Sequence, residues 1–391
     1  MKILIFDGSF KTTPFINRLI TGLAQQHQVY VLGFNESLSK PIEKVTYVSL
    51  GSNQNKFKLA ITSLKHAMRQ GNTKGLLETF KKLIQGDKKH LQQQNLTWAL
   101  KKINPDIIHL QWPSTIPWFE QVLQEQKIPV VLSQRGYHNN VRPFVDADNF
   151  EYLQQWYPKI AGFHSVCKAI SKKSDAIWSS TRKIDKVVYT GLIIDHSSFD
   201  KTYHIKNPLQ LLSIGRPHWI KGYDYAVQAC KLLKEKGITF QYTIIGGAGD
   251  EELQFLIHEL GLQDFVSLKK RLPQEDVLKK MREASLLLMP SLEEGLPNVL
   301  VEAMAVGLSV LSTDCGGVPE LINNDKEGWV VPTRNPNAIA NSIIDFTKLP
   351  QGQIETVRLA ARRKVEQQHS EEMMIAGMTV LYKKVLSKGK N

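Results

Sequence analysis

Short apolar runs of strand length alternate along this chain with longer stretches whose apolar residues recur every three or four positions. In the first half the runs are Lys2–Phe6, Gln28–Gly33, Asp106–Leu110 after the stop signal Asn104-Pro105, Pro129–Ser133, Gly162–Val166 and Lys186–Tyr189, with a helical stretch over Thr13–Gln26. The second half restarts the pattern with strand Leu209–Gly215, helix Tyr223–Glu235, strand Phe240–Ile245, helix Glu251–Leu260 and strand Phe265–Leu268. Helix Gln274–Ala284, strand Ser285–Pro290, helix Pro297–Val306 and strand Ser309–Thr313 follow. Strand, helix, strand in succession implies parallel sheets with helices on both faces. Two such series, meeting near residues 195–207, predict an α/β protein of two doubly wound, Rossmann-like domains facing each other across a cleft. Doubly wound sheets bind ligands at the carboxyl ends of their strands, so the cleft is the expected site.

Residues 53–103 break the alternation. Phe57, Ile61, Leu64 and Met68 recur at helical spacing, as do Leu76, Leu77, Phe80 and Ile84, and eleven Lys and Arg accompany them. This is an insertion of basic amphipathic helices. Two readings stand: surface helices packing their apolar stripe on the sheet, or helices that attach to anionic lipid headgroups.

Composition changes the picture little, and charge changes it more. Hydrophobic residues make up 42% and charged residues 22% of the 391, which excludes disorder and a coiled coil. No apolar run reaches the ~18 residues that span a bilayer, and the N-terminus does not read as a signal peptide. Cys167, Cys230 and Cys315 lie far apart without metal-ligand spacing, so a cytoplasmic protein with free thiols is expected, with peripheral contact at the inner face of the plasma membrane under the lipid reading. Residues 1–195 hold 26 Lys and Arg against 14 Asp and Glu, whereas residues 196–391 hold 24 against 23. The excess in the first half points to a polyanionic partner: an anionic membrane, an acidic glycan or nucleic acid. No nucleic-acid module accompanies it, so nucleic acid is not the expected partner.

The densest chemistry lies between Pro290 and Gly307. A buried strand ends at Pro290, a tight loop with Gly295 and Leu296 follows, and Pro297 suits the first turn of a helix. The loop Glu294–Asn298 then presents backbone N–H groups at a helix N-terminus, a site for phosphate or sugar oxygens. Glu294 in the loop and Glu302 on the helix can bracket a long polar ligand. Upstream, Gly215-Arg216-Pro217-His218-Trp219-Ile220-Lys221-Gly222 follows a strand. Arg216 and Lys221 can both reach one diphosphate, the first with planar multidentate contacts, the second as a point charge. Gly246-Gly247-Ala248-Gly249 ends another strand but does not make a dinucleotide fingerprint.

The string Pro290–Gly307 resembles the segment with two glutamates eight residues apart in the retaining glycosyltransferases of family 4, which have the GT-B fold. Gly215–Gly222 resembles that family's G-R-x-x-x-x-K-G, and Thr313–Glu320 its GG-x-x-E. The resemblance is strong over roughly 205–345 and weak before it. There, Asn104–Leu110 resembles the family's PD-x-[IV]-H, but Arg135 stands where many members have a histidine, with His138 three places on. Gly8-Ser9-Phe10-Lys11-Thr12 replaces a glycine-rich loop. The resemblance implies an acceptor-binding domain over 1–200, a donor-binding domain over 201–370, and a helix over 371–391 that crosses back to the first.

It implies a hexosyltransferase that moves a sugar from a nucleotide-sugar, UDP- or GDP-linked, to a hydroxyl of a glycan or lipid-linked acceptor with retention, in cell-surface polysaccharide or glycolipid synthesis. Arg216, Lys221 and Glu294 are the expected catalytic residues. The first two, with the loop Gly295–Asn298, stabilise the departing diphosphate, while Glu294 holds the sugar and Glu302 the ribose. Gly215, Gly246, Gly247, Arg271, Gly295, Leu296, Pro297, Asn298, Val299 and Glu302 are expected to line the donor, and Ser9, Arg135 and His138 the acceptor. Without an Asp-x-Asp at a strand end, no metal and no cofactor is expected. A sugar-nucleotide epimerase of similar fold and a basic nucleic-acid-binding protein are the competing readings.

Overall fold

A computed structural model of the chain describes residues 1–36, 41–69, 73–194, 199 and 203–388. Part of the junction expected near 195–207 and the last three residues of the basic tail lie outside them. The chain divides into two compact units. One combines Met1–Val166, Ser171–Gly191 and the segment from Glu371 onward, the other Cys167–Ile170 and Leu192–Ser370.

The first unit is a sheet of seven parallel strands: β1 (Lys2–Ser9), β2 (Gln28–Phe34), β3 (Val45–Ser49), β4 (Ile107–Leu110), β5 (Val130–Gln134), β6 (Gly162–Ser165) and β7 (Asp185–Val187). Their order is β3-β2-β1-β4-β5-β6-β7, so the winding reverses between β1 and β4. Its helices are α1 (Pro14–Ala24), α2 (Lys56–Arg69), α3 (Thr73–Gln85), α4 (Lys88–Ile103), α5 (Glu120–Glu125), α6 (Tyr137–Asn140), α7 (Arg142–Val145), α8 (Ala147–Trp156) and, from Ser171 on, α9 (Lys168–Ile177), whose first turn is assigned to the second unit.

Side chains of a strand point alternately to the two faces of a sheet, and β1 is apolar at every position from Ile3 to Phe6. Leu4 and Phe6 join Leu96, Leu100, Phe119 and Leu153 in a core on one face. Ile3 and Ile5 join Leu19, Ile20, Met378 and Leu381 on the other. Each such side chain contributes about 1.5–3 kcal/mol when fully buried.

The second unit has six parallel strands, β8 (Leu209–Ile214), β9 (Phe240–Ile245), β10 (Val266–Lys269), β11 (Leu286–Met289), β12 (Val310–Thr313) and β13 (Trp329–Val331). They lie in the order β10-β9-β8-β11-β12-β13, reversing between β8 and β11. Around them run α10 (Tyr223–Glu235), α11 (Glu251–Glu259), α12 (Gln274–Glu283), α13 (Asn298–Val306), α14 (Val318–Leu321), α15 (Pro336–Lys348) and α16 (Gln351–Gln368). The last helix, α17 (Glu371–Lys388), belongs to the first unit, where it packs on α1 and β6. The α/β class, with two parallel sheets and flanking helices, is the one the sequence pattern predicts.

The insertion is helical as expected, but its apolar stripe does not pack on the sheet. α2 buries Leu59, Ser63 and Ala67 instead, leaving Phe57, Ile61 and Met68 exposed. No helix among the described residues is long and apolar enough to cross a membrane.

Candidate functional site

In the second unit, the loops that leave β8 and β11 flank the point where the winding reverses, the place where doubly wound sheets bind ligands. They are tied together. The Leu292 N–H donates to the Ile220 carbonyl at 2.7 Å. Gly222 has φ +60, and a Cβ there would stand 2.2 Å from the Pro290 carbonyl oxygen. Only glycine permits both the left-handed backbone and that approach. The loop after β12 closes on the same place: Gly316, at φ +51, would put a Cβ 1.8 Å from the Glu294 carbonyl oxygen, and the Gly317 N–H donates to the Gly295 carbonyl at 2.8 Å.

This convergence brings Lys221 and Glu294 into an ion pair of 2.5 Å, both partly buried, and the Ser291 hydroxyl donates to the same carboxylate oxygen at 3.0 Å. Arg216 stands exposed in the β8 loop. Burial first, then the charges of Arg216 and Lys221, hold the His218 ring below its usual range. Gly215 and Gly246 meet where a Cβ on Gly246 would lie 2.5 Å from the Gly215 carbonyl oxygen, and Gly247 follows on the same turn after β9. Gly295, Leu296 and Pro297 form the buried end of the β11 loop.

α13 begins at Asn298 and Val299 with no side chain capping it, so its first N–H groups have no helical partner. Glu302, one turn on, accepts a hydrogen bond from the Gln274 amide at 3.4 Å. Arg271 is exposed in the loop after β10. The loops thus assemble a cation, a carboxylate and a helix N-terminus around one switch point.

Sequence reasoning missed Tyr223. It is buried, and its hydroxyl has no hydrogen-bond partner among the described residues; nor has the Asn298 side-chain oxygen. Burial, then the Glu294 charge, pushes the phenol up, so it remains an O–H donor. Its place directly after Lys221-Gly222 was the available signal.

The first unit has its own cluster at the reversal between β1 and β4. The Trp112 indole N–H donates to Asp7, and Arg135 donates to Gln111 at 3.2 Å and Ser133 at 3.4 Å. The Arg135 guanidinium lies 4.8 Å from the Phe15 ring centre. Burial pushes it down to about 10, opposed by the Asp7 charge, so it is still a cation at neutral pH. Burial raises Asp7 to about 6 against the Trp112 hydrogen bond and Arg135. His138 lies edge-on to Trp112 at 5.9 Å, and Ser9 ends β1. Arg135 and His138 are therefore gathered with Asp7, Gln111 and Trp112, which sequence reasoning did not single out. Among the described residues no cluster of three His, Cys, Asp or Glu could hold a metal ion.

Residues 196–364 match the family model of glycosyl transferases group 1. WcaL of Escherichia coli, named for colanic acid biosynthesis, is 36% identical over 174 residues, 43% of each chain. The amylovoran biosynthesis glycosyltransferase AmsK of Erwinia amylovora is 36% identical over 200 residues, 48% of each. The chain thus spans under half the length of these curated relatives. Solved structures extend the likeness across both units. HepE of Anabaena, solved in complex with UDP and glucose, gives a TM-score of 0.72 at 17% identity, covering 98% of this chain and all of that one. Sucrose-phosphate synthase of Thermosynechococcus elongatus gives 0.76 at 16%, covering 99% and 100%. At that identity the likeness establishes the two-domain fold.

Proposed function

We propose that the protein is a group 1 glycosyltransferase that moves a sugar from a nucleotide-sugar, UDP- or GDP-linked, to a hydroxyl of a glycan or lipid-linked acceptor with retention. The product belongs to a surface polysaccharide or glycolipid. The observation that carries this reading is the switch point of the second unit, where the loop that carries Arg216 and Lys221 adjoins the β11 loop leading to the uncapped start of α13, within the segment that matches the family. The names of the relatives, for colanic acid and amylovoran biosynthesis, support a polysaccharide product.

In this mechanism the bond from the anomeric carbon to the diphosphate breaks, and negative charge builds on the departing phosphate. Arg216, one remaining donor of Lys221, and the Asn298 and Val299 N–H groups meet that charge without reorganising. Glu294, held in place by Lys221, accepts hydrogen bonds from hydroxyls of the sugar, and Glu302 accepts them from the ribose. The acceptor hydroxyl attacks on the face the phosphate leaves, and its proton passes to the departing phosphate oxygen. With cations and N–H groups serving the diphosphate, no metal is required. In the first unit the Asp7–Trp112–Arg135 cluster, with Ser9 and His138, holds the acceptor.

The test is a thermal-shift screen of UDP-, GDP- and ADP-sugars, with and without EDTA. A ligand at about 100 times its Kd adds roughly 2.7 kcal/mol, several degrees in Tm for a protein of this size. One donor class is expected to raise Tm equally with and without EDTA. Arg216→Ala and Glu302→Ala should abolish that shift with their own Tm little changed. Wild-type shifts in both variants would remove the assigned site, and a shift that needs Mg²⁺ or Mn²⁺ would replace the metal-free mechanism.

A further inference from the structure

We infer that α2 and α3 form a docking surface for an anionic lipid membrane. Six of the thirteen large hydrophobic side chains exposed among the described residues lie on these two helices: Phe57, Ile61, Met68, Leu77, Phe80 and Ile84. Phe57 and Ile84 are each 82% exposed and Leu77 71%. Isolated exposed hydrophobics are ordinary, whereas concentrated ones mark an interaction surface.

Their arrangement names the partner. At about 100° per residue, Phe57, Ile61, Leu64 and Met68 fall in a stripe about 60° wide along α2. Lys58, Lys65 and Arg69 form a row about 90° around from it, and Leu59, Ser63 and Ala67, buried in the unit, occupy the far side. α3 repeats the design, with Leu77, Phe80 and Ile84 in one stripe, and Lys74 and Lys81 beside it. An apolar stripe flanked by cations is the profile of a helix lying in a bilayer interface, apolar face among the acyl chains and ammonium groups at headgroup level.

The charge has the matching sign. Residues 53–103 carry eleven Lys and Arg against Glu78 and Asp87. Asp87 is already engaged by Lys82 at 3.1 Å, and Glu78 lies 3.4 Å from the His90 ring. Lys56, Lys58, Lys65, Arg69, Lys81 and Lys89 are exposed, and their side chains make no ion pair with a described residue. A protein partner would have to meet an apolar stripe and an unbalanced cationic rim together, and an acidic glycan would have no use for the stripe. An anionic bilayer supplies both halves. This inference stands apart from the donor reading, since neither helix contributes to the second unit.

The test is co-sedimentation of the full chain with phosphatidylcholine vesicles, with and without phosphatidylserine, at ~0.15 M salt, where exposed charges are partly screened. Two variants accompany it: Phe57→Ser/Ile61→Ser/Phe80→Ser, which keeps the charge, and Lys58→Gln/Lys65→Gln/Arg69→Gln, which keeps the stripe. All six side chains point outward, so folding is expected to survive, checked by circular dichroism. The wild type should pellet with anionic vesicles only and be released by high salt. The charge variant should lose about fivefold in affinity per cation removed, and the apolar variant at least tenfold. Equal binding to both vesicles, or none, overturns the proposal. So does a dimer that the apolar variant dissociates, which assigns the face to a second copy. Equal loss of vesicle and soluble acidic-polysaccharide binding in the charge variant, with no loss in the apolar one, assigns it to an acidic glycan.

Discussion

At the scale of single residues, the first unit contains a buried chain of hydrogen bonds whose protons can be placed. His164 Nε2 lies 3.0 Å from the Val188 carbonyl oxygen, which can only accept, so that nitrogen carries the proton. Nδ1 of the same ring must then accept from the Ser133 hydroxyl at 2.8 Å. Ser133 in turn accepts from His109 Nε2 at 2.7 Å, and the Tyr382 hydroxyl donates to His109 Nδ1 at 2.7 Å. Every member is satisfied only while both rings are neutral. Burial holds His109 well below its usual range, helped by His164 and Arg135, and holds His164 at about 3.

The consequence for stability has a definite sign. Below about pH 6.5 the unfolded chain binds these protons and the folded chain does not, so stability falls by up to about 1.4 kcal/mol per pH unit per ring. For His164 the loss continues toward pH 3. Asp7 acts oppositely. Raised to about 6, it takes up its proton in the folded chain first, and between pH 6 and its unfolded value it offsets up to one ring. Asp7→Asn removes that offset. Denaturant unfolding at pH 7, 6, 5 and 4 should show a steeper acid loss in the variant, by up to about 1.4 kcal/mol per pH unit. Parallel stability curves for the two proteins would refute the assignment.

At the scale of elements, α13 has no side chain capping its N-terminus and is anchored at its other end. Its last carbonyls are held by two buried arginines of α16: Arg358 donates to the Gly307 carbonyl at 2.5 Å, and Arg362 to the Ala305 carbonyl. Arg358 lies over the Tyr203 ring at 4.0 Å and pairs with Glu355 at 2.7 Å. Cations at a helix C-terminus complement its dipole. Arg358→Met should cost about 2–4 kcal/mol, since it leaves a buried carbonyl unpaired and Glu355 without its cation. Denaturant unfolding checks this, and a cost under about 0.5 kcal/mol would mean the arginine does not hold the helix.

The same arginines explain what sequence reading could not reach. Helix Tyr223–Glu235 and strand Phe240–Ile245 have the bounds their periodicity predicts, because their buried positions are apolar. α16 has charged residues on its inner side, so its pattern does not read as amphipathic. β3 has no fully buried position along VTYVS, so it shows no apolar run, and β13 is three residues long. In the site, the motif loops were legible because they are contiguous strings. Tyr223, Asp7, Gln111 and Trp112 gain their roles from neighbours distant in the chain. The stripe of α2 was legible as amphipathic, but its outward direction was not: periodicity says that a face is apolar, not what covers it.

At the scale of the whole molecule, the chain leaves the first unit after Gly191, builds the second, and returns at Glu371. α17 lies far along the chain from β1, yet it supplies core to the sheet that begins at Lys2. Met374, Ile375, Met378, Leu381, Tyr382 and Val385 are buried, and all pack with Ile3, Ile5 and the buried face of α1. Gly22 of α1 marks the closeness of the fit, since a Cβ there would lie 2.5 Å from Ile375. Ending the chain at Ser370 would strip six large side chains from that core, at about 1.5–3 kcal/mol each, and leave His109 Nδ1 without its donor. That loss is comparable to the whole stability of a typical domain, about 5–15 kcal/mol. The second unit keeps all its strands in such a truncation. The expected outcome is therefore selective: limited proteolysis of residues 1–370 should digest the first unit within minutes while a fragment beginning near residue 192 persists, and the nucleoside-diphosphate affinity of that fragment should match that of the full chain. Full protection of β1–β7 in the truncated protein, read by hydrogen exchange, would show that the first unit is complete without its returning helix.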